Sequence, residues 1–210
     1  AIKHDKFYSP NTDYVAYLGQ IAEVEFTDSK RQQAQKILAA WDLGTDLANT
    51  SAAMGTCVFL AAQPKENRHE DGKPEISKIL DNCIAGLDNA VGRMDPPWGE
   101  VNRHVRGDLN LPVAGGPDIL RAIYGRGIDQ DGYLTNVAGD GLYYLVEWDA
   151  AGALTVEGVH QFGSATLDET SPHYADQAED YALEILHDPW FSEAALQQNL
   201  LRAYRPGDTP

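Results

Sequence analysis

Between Ile76 and Val91 the residues Ile76, Ile79, Leu80, Cys83, Ile84, Leu87 and Val91 hold one side of a 3.6-residue period for about four turns. A strand cannot present that spacing, because its side chains alternate with a period of two. A chain carrying this stripe must bury it, and two other segments offer partners. Asp28-Ser29 supplies an N-cap ahead of Ala34, Ile37, Leu38 and Trp41, spaced i, i+3, i+4 and i+7, with Gly44 as the stop. Ala52 to Ala62 is apolar and halts at Pro64, and residues 64–75 form a solvated loop. Residues 28–93 therefore read as two or three packed helices within a mainly helical segment, 1–94.

The pattern breaks at Asp95-Pro96-Pro97. From there to Asp131 the chain is rich in Gly, Pro and Asp and poor in periodicity, the mark of an ordered but irregular segment. Beyond the Asp131-Gly132 turn signal, Leu142, Tyr144, Val146 and Trp148 alternate with Tyr143, Leu145 and Glu147. Ala151-Gly152 turns the chain into Leu154 and Val156, so a hairpin is expected over 141–161. Its first strand is apolar on nearly both sides and reads as covered on two faces. Ser171-Pro172 then opens a helix with Tyr174, Ala178, Tyr181, Ala182 and Ile185 as its buried stripe. Ser192 caps the last helix, Phe191 and Leu196 form a hydrophobic staple, and Pro206-Gly207 ends it. Helices, irregular segment, strands and helices in that order make an α+β chain whose second segment is 95–210.

Charge narrows the partners. Sixteen Lys and Arg against 32 Asp and Glu leave a net charge of −16, which opposes nucleic acid and anionic membrane surfaces. The longest apolar run, around Cys57–Ala62, is too short to span a bilayer. Two cysteines cannot form a disulfide framework or a four-thiolate zinc site. Cys57 and Cys83 either pair or sit as buried thiols, and the apolar helical pattern around each favours buried thiols. The chain opens on Ala1 with neither an initiator methionine nor a signal peptide, so a mature, trimmed or excised piece is expected.

Residue types alone define no active site. Gly125-Arg126-Gly127 lacks the third glycine of a dinucleotide loop, and Gly163-Ser164-Ala165 lacks the second glycine of a nucleophile elbow. Asp129-Gln130-Asp131-Gly132 lacks the closing glutamate of a calcium loop and reads as a turn. Arg106-Gly107-Asp108 reads as an ordered turn. His173 and Asp176 could form an acid–base pair on one helical face, but a histidine beside a dipole-favoured aspartate in a first turn is the stronger reading. His160 is explained by packing. Glu100, Asp108 and Asp118 with Arg103 and Arg106 read as salt-bridged scaffolding.

Three stretches carry more information together. Trp98-Gly99-Glu100-Val101-Asn102-Arg103 leads through Arg106-Gly107-Asp108 and Leu111-Pro112 to Gly115-Gly116-Pro117-Asp118. Gly163-Ser164 leads to Ser171-Pro172-His173-Tyr174-Ala175-Asp176-Gln177, and Tyr204-Arg205-Pro206-Gly207 closes the chain. In this order the sequence resembles the C-terminal part of the penicillin acylase family, which includes the acyl-homoserine-lactone acylases. Leu38-Ala39-Ala40-Trp41-Asp42 fits upstream, so the resemblance covers roughly residues 28–207.

That resemblance implies the C-terminal portion of a four-layer αββα N-terminal-nucleophile hydrolase, cut autocatalytically from a precursor. In the family a new N-terminal serine attacks an amide carbonyl and forms an acyl-enzyme. Its own α-amino group, titrating near ~7.7–8.0, serves as base through water. Backbone N–H and an asparagine complete the oxyanion hole. The implied substrate is an N-acylated small molecule, with N-acyl-homoserine lactones preferred over penicillins. The implied partner is the remaining precursor segment that bears the serine. No catalytic, binding or metal residue and no cofactor is carried onto this chain. Ala1 has no nucleophilic atom, and the family's serine and oxyanion asparagine lie far upstream. The isolated chain is therefore expected to be inactive. Its hairpin should join a central sheet, with Trp98 through Asp118 wrapping against the catalytic chain. A bacterial periplasmic or extracellular location is implied. The alternative is a non-catalytic acidic scaffold or interaction domain sharing only the family's C-terminal fold.

Overall fold

A computed structural model describes residues 2–10, 13–200, 202, 203, 205 and 207. Of the signature residues, Ala1, Tyr204 and Pro206 lie outside these. The helical half begins with α1 (Asp13–Ala22), which buries Tyr14, Tyr17 and Ile21. The next helix, α2 (Ser29–Ala39), is capped as its sequence requires: the Asp28 carboxylate accepts from Arg31 N at 2.9 Å, satisfying an orphan donor of the first turn. This helix stops at Ala39 rather than at Gly44. Trp41 therefore lies beyond it, buried in a turn and donating from Nε1 to Gly44 O at 2.7 Å.

The apolar run forms α3 (Ala52–Ala62), buried along most of its circumference. Gly55 sits where the Trp41 ring crosses it, and a Cβ there would come within 2.3 Å of the indole. The long stripe forms α4 (Ile76–Val91), burying Ile79, Leu80, Cys83, Ile84 and Leu87. Each such Ile or Leu contributes roughly 1.5–3 kcal/mol when fully buried. Gly92, at φ 73°, ends the helix in the left-handed conformation that glycine adopts without a steric penalty. The cysteines are not free thiols. Cys57 and Cys83 form a disulfide across 26 residues that bonds α3 to α4. The α4 stripe packs on α3 and places the two Cα atoms 5.8 Å apart, within the range a bridge spans.

Residues 95–131 are not irregular. The short α5 (Trp98–Val101) leads into β1 (Asn102–Arg106) and β2 (Leu109–Pro112), a hairpin turned by Gly107-Asp108 at the tripeptide read as a turn. After β3 (Ile123–Arg126) and the helical turn α6 (Ile128–Asp131) comes β4 (Leu134–Gly139). Together they form one sheet of order β2-β1-β4-β3, with β4 parallel to β1 and antiparallel to β3, and β2 antiparallel to β1. Strands of four to six residues that carry Arg103 and Arg106 present too few alternations for a period of two to register.

The expected hairpin is present as β5 (Tyr143–Trp148) and β6 (Leu154–Val159), paired in register from Tyr143↔Val159 to Trp148↔Leu154. It does not join the four-stranded sheet but forms a two-stranded sheet of its own. Nor is β5 covered on two faces: Tyr143 and Leu145 are half-buried, whereas Tyr144, Val146 and Trp148 are exposed. Gly158 of β6 exchanges backbone hydrogen bonds with His187, at 2.8 and 2.9 Å.

The helix expected from Pro172 starts later, as α7 (Ala178–Leu183). Ser171 Oγ instead accepts from His173 N at 3.2 Å, so the hydroxyl closes a turn and does not cap a helix. Ala178, Tyr181 and Ala182 are buried as read, but Ile185 is exposed beyond the helix end. The last helix, α8 (Glu193–Asn199), has the expected cap, with Ser192 Oγ accepting from Ala195 N. One hydrophobic cluster unites the helical half with Trp98 and Val101; another joins Val113, Ile123, Val159 and Tyr181. The fold is mixed α+β, with helices and two sheets. No described helix is long and apolar enough to cross a membrane.

Candidate functional site

The signature residues meet in space as loop geometry. Trp98 Nε1 donates to Gly115 O at 2.8 Å, and Asn102 Nδ2 donates to Val113 O at 2.8 Å, tying α5 and β1 to the loop before Arg121. Gly115 is at φ 106°, and a Cβ there would lie 2.5 Å from Arg121 O. On the other side, Gly163 is pressed against the 173–176 turn; a Cβ would come within 2.2 Å of both Asp176 Oδ1 and His173 O. Ala165 N donates to His173 O, and Gln177 N to Phe162 O. Gln177 Oε1 accepts from His160 N, and His160 Nδ1 accepts from Phe162 N and Gly163 N.

The charged group does not form the mutual salt-bridge network expected of it. Glu100 pairs with Arg93. Arg103 donates to Asn110 and to Gly99 O. Asp118 accepts from the Tyr124 hydroxyl at 2.8 Å. Arg106 lies 3.6 Å from the Tyr174 ring centroid and 4.3 Å from that of Phe162, while donating to Tyr174 O and Thr166 O. Arg106 thus joins two of the signature stretches.

His173 and Asp176 do pair, at 2.8 Å, but on an exposed turn ahead of α7. Asp180 and His187 make a second exposed pair at 2.9 Å. Such pairs could relay a proton only to a group that a bound molecule brings.

The interior holds a polar network that residue-type reasoning missed. Arg121 is fully buried. Its Nη1 reaches Asp140 Oδ2 at 3.3 Å, its Nη2 donates to Tyr181 O at 2.7 Å, and its guanidinium stacks 4.3 Å from the Tyr181 ring. Glu184, at φ 61°, brings Oε1 to 3.7 Å from Arg121 Nε, an ion pair without a hydrogen bond. The N-terminal segment closes over this network: Arg121 N donates to Asp5 O, Lys3 bonds Asp140, Lys6 reaches Glu184, and His4 Nε2 meets the Tyr143 hydroxyl at 2.7 Å. Burial holds the His4 imidazole below its ordinary pKa against the opposing pull of Glu184. Burial pushes the Tyr181 phenol up to about 12. The sequence signal was faint: a lone arginine followed 19 residues later by a lone aspartate.

His104 is buried in β1. Its Nε2 donates to Gln161 O at 2.7 Å, which leaves Nδ1 to face Asn136 Nδ2 at 3.3 Å, and its ring stacks on Phe162 at 5.2 Å. Desolvation lowers its pKa, opposed by the Gln161 bond and assisted by the charges of Arg121 and Arg106. Among the described residues no three His, Cys, Asp or Glu side chains converge as metal ligands.

These contacts define a class: a mixed α+β chain whose signature residues, among those described, build turns and backbone clamps. The chain matches the penicillin amidase family model over residues 1–198 and belongs to that family. The family is hydrolytic, which supports an amidohydrolase-type function. No curated protein matches the chain.

Proposed function

We propose that this chain is the C-terminal part of an amidohydrolase that releases the acyl group from an N-acylated small molecule. An N-terminal serine on another segment of the same precursor forms the acyl-enzyme, with its α-amino group as base. The observation that carries this reading is the family match across residues 1–198. The inventory of this chain is consistent with it: His173 and His187 pair with aspartates, His104 and His160 with backbone and His4 with a phenol, and its signature loops interlock as a framework. The exposed strand β5 offers an apolar face to the serine-bearing segment. The Cys57–Cys83 bridge favours an oxidising compartment, in keeping with a periplasmic or extracellular parent.

The test compares the chain alone with the chain joined to the serine-bearing segment, using N-acyl-homoserine lactones, penicillin G and simple N-acyl amides. Hydrolysis should require the joined protein and should be lost when the serine is replaced by alanine. Turnover by the 210 residues alone would overturn the placement of the nucleophile. Absence of turnover from the joined protein on every substrate would favour a non-catalytic scaffold.

A further inference from the structure

A cavity of about 530 Å³ opens between α3, α4 and the β3–β4 edge of the sheet. Its size falls within the roughly 300–1,000 Å³ of small-molecule sites. The wall is overwhelmingly apolar: Cys83 and Leu87 of α4, Leu60 of α3, Trp98, Ile123 and Leu134. Water gains little against such a surface, whereas a hydrocarbon chain is stabilised there.

Two features set the cavity apart from a packing fault. The first is Gly86, in the middle of α4. A glycine inside a helix is less favourable than alanine, so it normally has a local reason. Gly86 has neither a positive φ nor a crowding neighbour: nothing lies within 4 Å of the position a Cβ would take. What the missing side chain does is leave the cavity open along one turn of the helix.

The second is charge. In a chain with twice as many acidic as basic side chains, the cavity's described lining contains no Asp or Glu and one cation, Arg126. Arg126 is exposed at the end of β3, and its guanidinium makes no ion pair or side-chain hydrogen bond among the described residues. A planar, weakly hydrated guanidinium beside an apolar cavity matches an apolar body with a carboxylate head.

We infer that this cavity binds an amphiphilic monocarboxylate of fatty-acid type, its chain against α3 and α4 and its carboxylate on Arg126. The inference does not rest on amide hydrolysis and stands or falls separately from it. Decanoate, decanol and decyltrimethylammonium, each below its micellar concentration, are titrated calorimetrically into the chain and into the chain joined to the serine-bearing segment. Decanoate should bind both proteins saturably at one site, decanol more weakly, and the cation not at all. Arg126→Ala, at an exposed position, should weaken decanoate roughly fivefold or more and leave decanol unchanged. Gly86→Leu should abolish binding of both without lowering the unfolding midpoint, because the added side chain enters open space and favours the helix. Equal binding of decanoate and the cation, or a Gly86→Leu variant that binds like the parent, would overturn the site. So would binding to the separate chain that disappears in the joined protein, since the cavity would then be a seat for the other segment. Because none of these readouts uses turnover, their failure is distinct from failure of the amidase reading.

Discussion

At the residue scale, Arg121 shows what a charge needs in order to be buried. A guanidinium with no exposed surface is tolerable because Asp140, the Tyr181 carbonyl, the Tyr181 ring and Glu184 surround it. Replacing Arg121 with methionine fills most of the volume but leaves the Asp140 carboxylate, only 6% exposed, with Lys3 as its remaining cation. A loss of about 3–5 kcal/mol is expected, read as a fall in the urea midpoint at unchanged m-value. Arg121→Lys should recover only part of this, since an ammonium cannot reach Asp140 and Tyr181 O together with a planar fork. His104 makes a different prediction. Its folded pKa lies below its unfolded value, so the unfolded chain binds the extra proton. Its stabilising contribution is fully present above about pH 6.5 and declines as pH falls below that toward the folded pKa. His4 shifts in the same direction, so His104→Gln should reduce, and not abolish, the slope of unfolding free energy against pH between about 5 and 6.5. An unchanged slope would remove His104 from the account of acid sensitivity.

At the element scale, the disulfide joins the two helices with the strongest apolar patterns. In the chain-entropy model a bridge closing a loop of this length contributes about 3–4 kcal/mol. The Cys57→Ser, Cys83→Ser double variant should therefore unfold at markedly lower denaturant while keeping its helical signal; an unchanged midpoint would show that packing alone holds α3 against α4. The same elements show what the sequence made legible. Helices α2 and α4 were readable from apolar positions at helical spacing, α3 as a continuous apolar run stopped by Pro64, and Asp28 and Ser192 as caps because their chemistry is local. Strands β1 to β4 were hidden, because their pairing is long-range: Asn102 meets Leu134, and no local pattern announces it. Pro172 suggested a helix start, but Gly163 wedged against His173 and Asp176 holds that stretch as a turn. Sequence alone left pairing of Cys57 and Cys83 open beside buried thiols for the same reason, since the bridge depends on how α3 and α4 face each other. The family signature was legible as residues, although their roles as turn-makers and clamps emerged only in three dimensions.

At the scale of the whole molecule, the distribution of apolar surface is the feature that asks for a partner. Leu142, Tyr144, Val146, Trp148 and Leu154 are all about half exposed or more, with Trp148 at 66%, and Trp190 and Phe191 adjoin them through a Tyr144–Phe191 ring contact at 6.1 Å. A patch of clustered aromatics and aliphatics on one hairpin marks an interaction surface rather than ordinary surface scatter. The hairpin is also a two-stranded sheet, an arrangement that is marginal in water unless something packs on it. Its inner face packs through Tyr143 and Val159 on the second core, whereas Tyr144, Val146, Trp148 and Leu154 of the outer face are exposed around a buried Val156. Self-association through this face is opposed by the net charge of −16, and under the proposed function its occupant is the serine-bearing segment. A Val146→Lys, Trp148→Lys double variant changes two exposed side chains and should leave the circular dichroism spectrum and unfolding midpoint of the separate chain nearly unchanged. It should weaken association with the serine-bearing segment by at least about tenfold and reduce amide hydrolysis in the joined protein, because two ammonium groups would have to be buried without partners. Association measured by calorimetry decides the matter, and tight binding by the double variant would rule out this face as the docking surface.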